Sequence, residues 1–372
     1  MNRIPPLDLA RQYRQIDAEA SAAALEVLRS GRYIGGAAVS DFEQAFARHV
    51  GTAHCVACNS GTDALYLALR ALDIGPGDEV IVPPFTFIAT AEVVSEVGAK
   101  PVFADIELAT FNLDLAQVER AITPRTKAII PVHLFGRPLD MAALQELAAA
   151  HNVAMIEDCA QATGAKWGDR RVGSFGQVGC FSFFPTKNLG ACGDGGAMTT
   201  DDAELAAKLR MLREHGQKER YRHDVVGVNS RLDTLQAVLL SVKLRYLDPW
   251  NEQRDRAAQR YRELLAPLPK IALPTSPAGG QAVWNQYTIR LVEATSEQRD
   301  RLRADLQAQG VSSAVYYPLP LHLQPVYQNL NYPAGSLPAA ERACQEVLSL
   351  PMFPELQPEE QEQVAYALKD CL

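Results

Sequence analysis

No stretch of the sequence stays apolar for the roughly twenty residues that a membrane-crossing helix needs. The opening Met-Asn-Arg-Ile-Pro-Pro also lacks an apolar core of the secretory kind. The expectation is a cytoplasmic protein with no membrane partner. Basic charge is not in surplus. Thirty-six Lys and Arg stand against 44 Asp and Glu, a formal net charge of −8, which argues against nucleic acid as the principal partner. Cysteine is sparse and odd in number, seven scattered through apolar surroundings, which fits a reducing compartment. Cys55-Val-Ala-Cys58 has C-x-x-C spacing, but no second pair follows at zinc-ribbon distance, and no metal is expected. Two nucleotide signatures are missing as well. There is no G-x-x-x-x-G-K-[ST], and no G-x-G-x-x-G follows a strand-like run. Internal repeats and low-complexity tracts are absent.

What is present is globular composition, 47% hydrophobic and 22% charged, over a length of 372 residues. That length suits one large domain and a smaller one. The most informative stretch is Val178–Ala197. Val178 to Phe184 is apolar and β-prone, and it reads as a buried strand that stops at Pro185. Lys187 follows, then a loop with Gly190, Gly193, Gly195 and Gly196 before a further strand. The glycines let backbone approach something bulky. A lysine so fenced by apolar residues is desolvated, which lowers its pKa and frees the neutral amine for a Schiff base. The same pattern also suits a plain surface lysine in a Gly-rich hairpin.

The rest of the chain alternates short strands with helices. Residues 8–30 and 39–50 have helical spacing, and His54–Ala57 reads as a strand ending at Asn59-Ser-Gly. Ser60-Gly-Thr-Asp63 resembles a capping box before a helix, and the unpaired N–H groups of such a start form an anion site or a plain N-cap. Further strands fall at 79–82, 100–105, 126–132 and 153–156, the last followed by Glu157, Asp158 and Gln161. Residues 216–224 read as a charged loop, and helices follow over 234–246 and 250–265. A Pro/Gly-rich segment follows Ala266. Beyond it lie a strand over 286–291, a helix over 296–309, a strand over 311–317, a helix over 339–348 and a closing helix from Pro358. The division expected is a large domain over 1–250 and a small C-terminal α+β domain over 251–372.

Ligands in parallel α/β sheets sit beyond the carboxyl ends of strands. Ser60-Gly61-Thr62, Phe87, Asp158, Gln161 and Lys187 all fall at such ends. An amine for a Schiff base, an aspartate and an anion site are the minimum needed to hold pyridoxal phosphate. The aspartate keeps the pyridine nitrogen protonated, which makes the ring an electron sink.

The motifs Asn59-Ser-Gly-Thr-Asp-Ala-Leu, Pro84-Phe-Thr-Phe-Ile-Ala-Thr, Glu157-Asp-Cys-Ala-Gln-Ala, Phe181-Ser-Phe-Phe-Pro-Thr-Lys-Asn-Leu-Gly and Gly227-Val-Asn-Ser-Arg-Leu-Asp span nearly the whole chain. In them the sequence resembles the DegT/StrS-type nucleotide-sugar aminotransferases. The resemblance implies a fold type I pyridoxal-phosphate transferase, α/β, with a large domain built on a mainly parallel central sheet. It implies that Lys187 carries the cofactor in Schiff-base linkage, that Asp158 pairs with the pyridine nitrogen and that Gln161 contacts the ring hydroxyl. Gly61, Thr62 and Ser182 would hold the phosphate, and Phe87 would stack on the ring. Family members are homodimers with shared sites, so Asn229 would reach the phosphate of the neighbouring subunit's cofactor. Dehydratase relatives carry histidine in place of Lys187, so the lysine implies transamination.

Asn-Ser-Arg-Leu-Asp-x-x-Gln-Ala and Tyr317-Pro-x-Pro-Leu-His322 further resemble enzymes that aminate 3-keto sugars, nearest to those acting on UDP-2-acetamido-3-ketoglucuronate. The substrates implied are a UDP- or dTDP-linked 3-keto hexose and glutamate, in surface-polysaccharide or amino-sugar biosynthesis. A 4-keto sugar, a keto-cyclitol or a non-catalytic cofactor-binding regulator are the alternatives. Arg231 either forks onto a substrate carboxylate or is an exposed helix-start arginine. Tyr316 stands where these relatives often have histidine. With Tyr317 it is a candidate sugar contact, and His322 is either a third or structural.

Overall fold

The structure, a computed structural model, describes residues 3–372. Its centre is a seven-stranded sheet. The order across it is His54–Cys58, Gly196–Thr200, Val178–Ser182, Ala154–Asp158, Thr126–Ile129, Glu79–Val82 and Lys100–Phe103. All neighbours are parallel except Gly196–Thr200, which is antiparallel to the strands on both its sides. Near-continuous apolar runs such as Val-Ile-Val and Val-Gly-Cys-Phe belong to strands buried on both faces, and here helices cover both.

The single reversed strand has a positional consequence. It begins where its neighbours end, so Gly196 lies opposite Cys58 on one side and Ser182 on the other. Three chain segments therefore meet at one rim. Glycine is needed there, because a Cβ on Gly196 would lie 2.3 Å from the Ser60 carbonyl oxygen. Gly190 is similarly constrained, with Pro185 O at 2.3 Å from the position of a Cβ. The close approach that the sequence suggested is thus to the chain's own backbone, and it builds the loop.

Two of the buried cores bear on the site. The first, with Val56, Leu67, Val80, Ile156, Val178 and Met198, fills the space between the sheet and helices such as Gly61–Ala71. Late residues Leu321, Tyr327 and Val347 join it. The second gathers Tyr261, Tyr287, Leu306, Phe353 and Leu368 around the antiparallel strands Ile271–Ala272, Tyr287–Leu291 and Val347–Leu350. Ile4 is part of it. Among the described residues no helix is long and apolar enough to cross a membrane.

Several element expectations are corrected. Residues 311–317 form no strand: Val311 pairs once with Ile4 and Ala314 once with Ser349. Their β-prone side chains are used to fill space rather than to extend a ladder. The helix expected over 339–348 ends at Glu346, and Val347–Leu350 becomes a strand because its alternate side chains pack into different cores. The charged loop contains a small hairpin, Gln217–Glu219 with Arg222–His223. The helix from Thr234 stops at Leu244, and a new one starts at Leu247.

Gly196→Ala forces the reversed strand away from Ser60. The expected result is a loss of about 1–3 kcal/mol in a denaturant titration, the usual range for overpacking. An unchanged midpoint would show that the rim has slack.

Candidate active site

The strand ends open onto one cavity of about 540 Å³. Its wall holds Gly61, Thr62, Phe87, Asp158, Gln161, Ser182 and Lys187, all singled out from the sequence, and Tyr316 and Tyr317 close it from the C-terminal side.

Lys187 lies two residues after Pro185, and its N–H is held by the Phe184 carbonyl at 2.9 Å. Its side chain opens onto the cavity and is half-buried by surface, but enough protein surrounds it for burial to dominate. Its pKa falls to about 8, against the opposing pull of the Asp158 charge. Relative to an ordinary lysine, that raises the neutral fraction near pH 7.5 roughly two hundred-fold. Asp158 ends the strand Ala154–Asp158 and is buried. Burial raises its pKa, while the N–H of Ala160, the hydroxyl of Thr90 and the Lys187 charge act the other way. Thr90 Oγ1 donates to Oδ2 at 2.9 Å and Ala160 N to Oδ1 at 3.1 Å. The carboxylate is therefore oriented before anything binds.

Gln161 is fixed in one orientation. Its Oε1 accepts from Phe135 N at 2.6 Å, so its NH₂ faces the other way, towards the Tyr317 hydroxyl at 3.3 Å. It can only donate into the cavity. Behind Asp158, His133 and Glu157 are wholly buried. His133 Nδ1 accepts from Leu139 N, which leaves Nε2 to donate to Glu157 at 3.2 Å. Glu157 also accepts from the N–H groups of Gly173, Phe175 and Gly176. With Cys159 these two side chains have the spacing of metal ligands. Their donor atoms are already engaged with protein, and the cluster anchors the loop that precedes the strand Val178–Ser182.

At the opposite side the helix Gly61–Ala71 points its first turn at the cavity. Ser60 Oγ takes the Asp63 N–H at 3.0 Å, while no acceptor among the described residues takes those of Gly61 and Thr62. A Cβ on Gly61 would lie 2.6 Å from Ser182 Cβ, so glycine brings this helix start against the strand end. Free N–H groups at a helix start form an anion site. Phe87 is 55% exposed in the cavity wall, an unspent aromatic face.

Asn229, expected to serve the neighbouring subunit's cofactor, is exposed and outside this chain's cavity wall. Two other expected residues lie elsewhere. Arg231 Nη1 lies 3.8 Å from Glu214 Oε1, and the side chain is not part of this chain's cavity wall. His322 is buried against Glu341 at 3.1 Å, so its place is structural. Two contributors escaped the sequence. Thr90 looked like a mere helix opening. Gln286, just before the strand Tyr287–Leu291, lines the cavity with a buried Oε1 that has no partner among the described residues, and no sequence signal marks it.

Residues 14–369 match the DegT/DnrJ/EryC1/StrS aminotransferase family. The chain belongs to it. This aminotransferase is 50% identical, over 97% of its length and 96% of the relative's, to the "Pleiotropic regulatory protein" of Geobacillus stearothermophilus. It is 49% identical to the UDP-N-acetyl-3-dehydro-alpha-D-glucosamine 3-aminotransferase of Acidithiobacillus ferrooxidans, over 99% of this chain and 98% of that one. The crystal structure of S. venezuelae DesV in complex with a ketimine intermediate superposes with a TM-score of 0.96 at 47% identity, covering 100% of this chain and 98% of that one. The fold is that of a type I pyridoxal-phosphate transferase.

The cofactor of such an enzyme is pyridoxal 5′-phosphate, and the cavity fits it at each end. There is an amine of lowered pKa, a buried carboxylate for a protonated ring nitrogen, an amide donor, an open aromatic face and free N–H groups for a dianion.

The uptake rate of pyridoxal phosphate by the apoprotein should rise with pH and level off above about 8, as Lys187 loses its proton. Asp158→Asn removes the charge that raises the Lys187 pKa, so the inflection should move to lower pH. Stopped-flow absorbance across pH reads this, and an inflection that stays put or moves up would refute the pairing.

Proposed function

We propose that the enzyme moves an amino group from glutamate to the C3 carbonyl of a nucleotide-linked 3-keto hexose, in the cytoplasm, as a homodimer with shared sites. The observation that carries this reading is the cavity wall where Lys187, of lowered pKa, faces the buried Asp158. The 3-aminotransferase name of the A. ferrooxidans relative supports the C3 position. The −8 charge and the absence of a spanning helix among the described residues are compatible with the location.

The residues divide the work by position. Asp158, held by Thr90 and Ala160, would bind the protonated ring nitrogen. Gln161 would donate to the ring hydroxyl, and Phe87 would cover one ring face. Gly61 and Thr62, with Ser182, would hold the phosphate, joined by Asn229 of the partner subunit. Bound there, pyridoxal phosphate supplies the carbonyl that exchanges amines and a ring that accepts an electron pair. Lys187 Nζ would hold the cofactor, and its neutral amine would be the base that moves a proton at the substrate carbon, help worth about 10²–10⁴-fold. Tyr316, Tyr317 and Gln286 would face the sugar, and together they exclude water from the base.

Absorbance of the loaded enzyme tests the reading. Glutamate should bleach the visible band, and a UDP- or dTDP-linked 3-keto sugar should restore it, while a 4-keto sugar or a keto-inosose should not. In Lys187→Ala both responses should be lost. A band indifferent to glutamate would instead favour a cofactor-binding regulator; the G. stearothermophilus relative is named a regulatory protein. Restoration by a 4-keto sugar or free cyclitol would overturn the C3 assignment.

A further inference from the structure

Ser230 is fully buried, yet it is not in the cavity and has no part in the scheme above. Its hydroxyl donates to Asp63 Oδ2 at 2.6 Å and accepts from Asn59 N at 3.1 Å. Its own N–H is fixed by the Arg213 carbonyl at 2.9 Å. Asn59 and Asp63 flank the Ser60-Gly61-Thr62 turn, so a single hydroxyl clamps both sides of the helix start.

The position of Asp63 makes that clamp consequential. It is the third residue of a helix whose N-cap is Ser60, the place from which an acidic side chain folds back onto the start of its own helix. The sequence suggested that reciprocal arrangement. In the structure only half of it exists. Ser60 caps the Asp63 N–H, but the Asp63 carboxylate is turned to Ser230 instead. A carboxylate released at this point is an anion beside unpaired N–H groups, where the helix dipole favours negative charge. It would compete with any other anion for them.

We propose that Ser230 is a positioning residue for the cofactor phosphate: it holds the Asp63 carboxylate away from the N–H groups of Gly61 and Thr62 and so keeps the cradle open. Removing the hydroxyl frees an internal competitor, and affinity falls for ligands that carry the phosphate. Pyridoxal, which lacks the phosphate, should not register the change. This inference rests on the assignment of the phosphate to Gly61 and Thr62.

The test compares dissociation constants of pyridoxal phosphate and of pyridoxal for the apoprotein, read by absorbance. Ser230→Ala should weaken pyridoxal phosphate about tenfold, the scale of one charge-assisted hydrogen bond, and leave pyridoxal within about twofold. Adding Asp63→Ala to Ser230→Ala should restore most of the lost affinity, because the competitor is then gone. A merely structural role for Ser230 predicts the reverse, with both ligands weakened equally and the double variant worse than the single. Either of those results overturns the proposal. If Ser230→Ala does not fold, Ser230→Thr and Asp63→Ala carry the comparison. The first retains the hydroxyl and should bind both ligands normally, and the second should bind pyridoxal phosphate at least as tightly as the native protein. Failure of either overturns the role. Gly61→Ala separates the underlying assignment. If it leaves the ratio of the two affinities unchanged, the phosphate is held elsewhere and that assignment, rather than the Ser230 clamp, has failed.

Discussion

Water is what the fold must keep away from Lys187 and Asp158. An amine in bulk solvent stays protonated at neutral pH, and an aspartate in bulk solvent has no reason to hold a proton-bearing ring. Burial alters both. It lowers the pKa of Lys187 and raises that of Asp158, while their opposite charges limit how far either can go. The two groups are thereby poised rather than neutralised.

The sheet supplies that dry wall through its topology. Asp158 ends one strand, and Lys187 lies on the loop beyond the adjacent parallel strand, the two strands being paired in register through Asp158 and Cys180. The ladder brings the two chain segments to the same rim. The reversed strand then closes the rim, bringing Gly196 against Ser60 and the helix start against Ser182. Glu157 and His133 lock the loop on the far side of the same strand. Each support is remote from the chemistry, and each fixes a wall of the cavity.

Much of this was legible in the sequence, for reasons that differ by residue. The strand ends could be read because a parallel sheet buries apolar runs and places polar residues just beyond them, which is how Asp158, Gln161 and Lys187 were found. Thr90 could not, since a hydroxyl two residues after Phe-Ile looks the same whether it supports a carboxylate or faces solvent. Gln286 could not either, because its place in the wall depends on how the second core packs against the first. His322 stood open in the sequence between a sugar contact and a structural role, because the Pro-Leu that precedes it does not show which way the ring faces. In the fold Glu341 holds it in the interior. Local pattern also missed the strand Val347–Leu350, which exists only because two cores lie on its two sides.

That strand has a mechanical consequence. Val347 packs into the first core, while Leu348 and Leu350 pack into the second. At the other end of the chain, Ile4 is held in the second core and bonded to Gly310 and Ser312. The two cores therefore share the backbone of one strand. Tyr316 and Tyr317 follow a segment bonded to Ile4 through Ser312 and to Ser349 through Ala314, so this part of the cavity wall is tied by backbone to the start of the chain and to the strand both cores share.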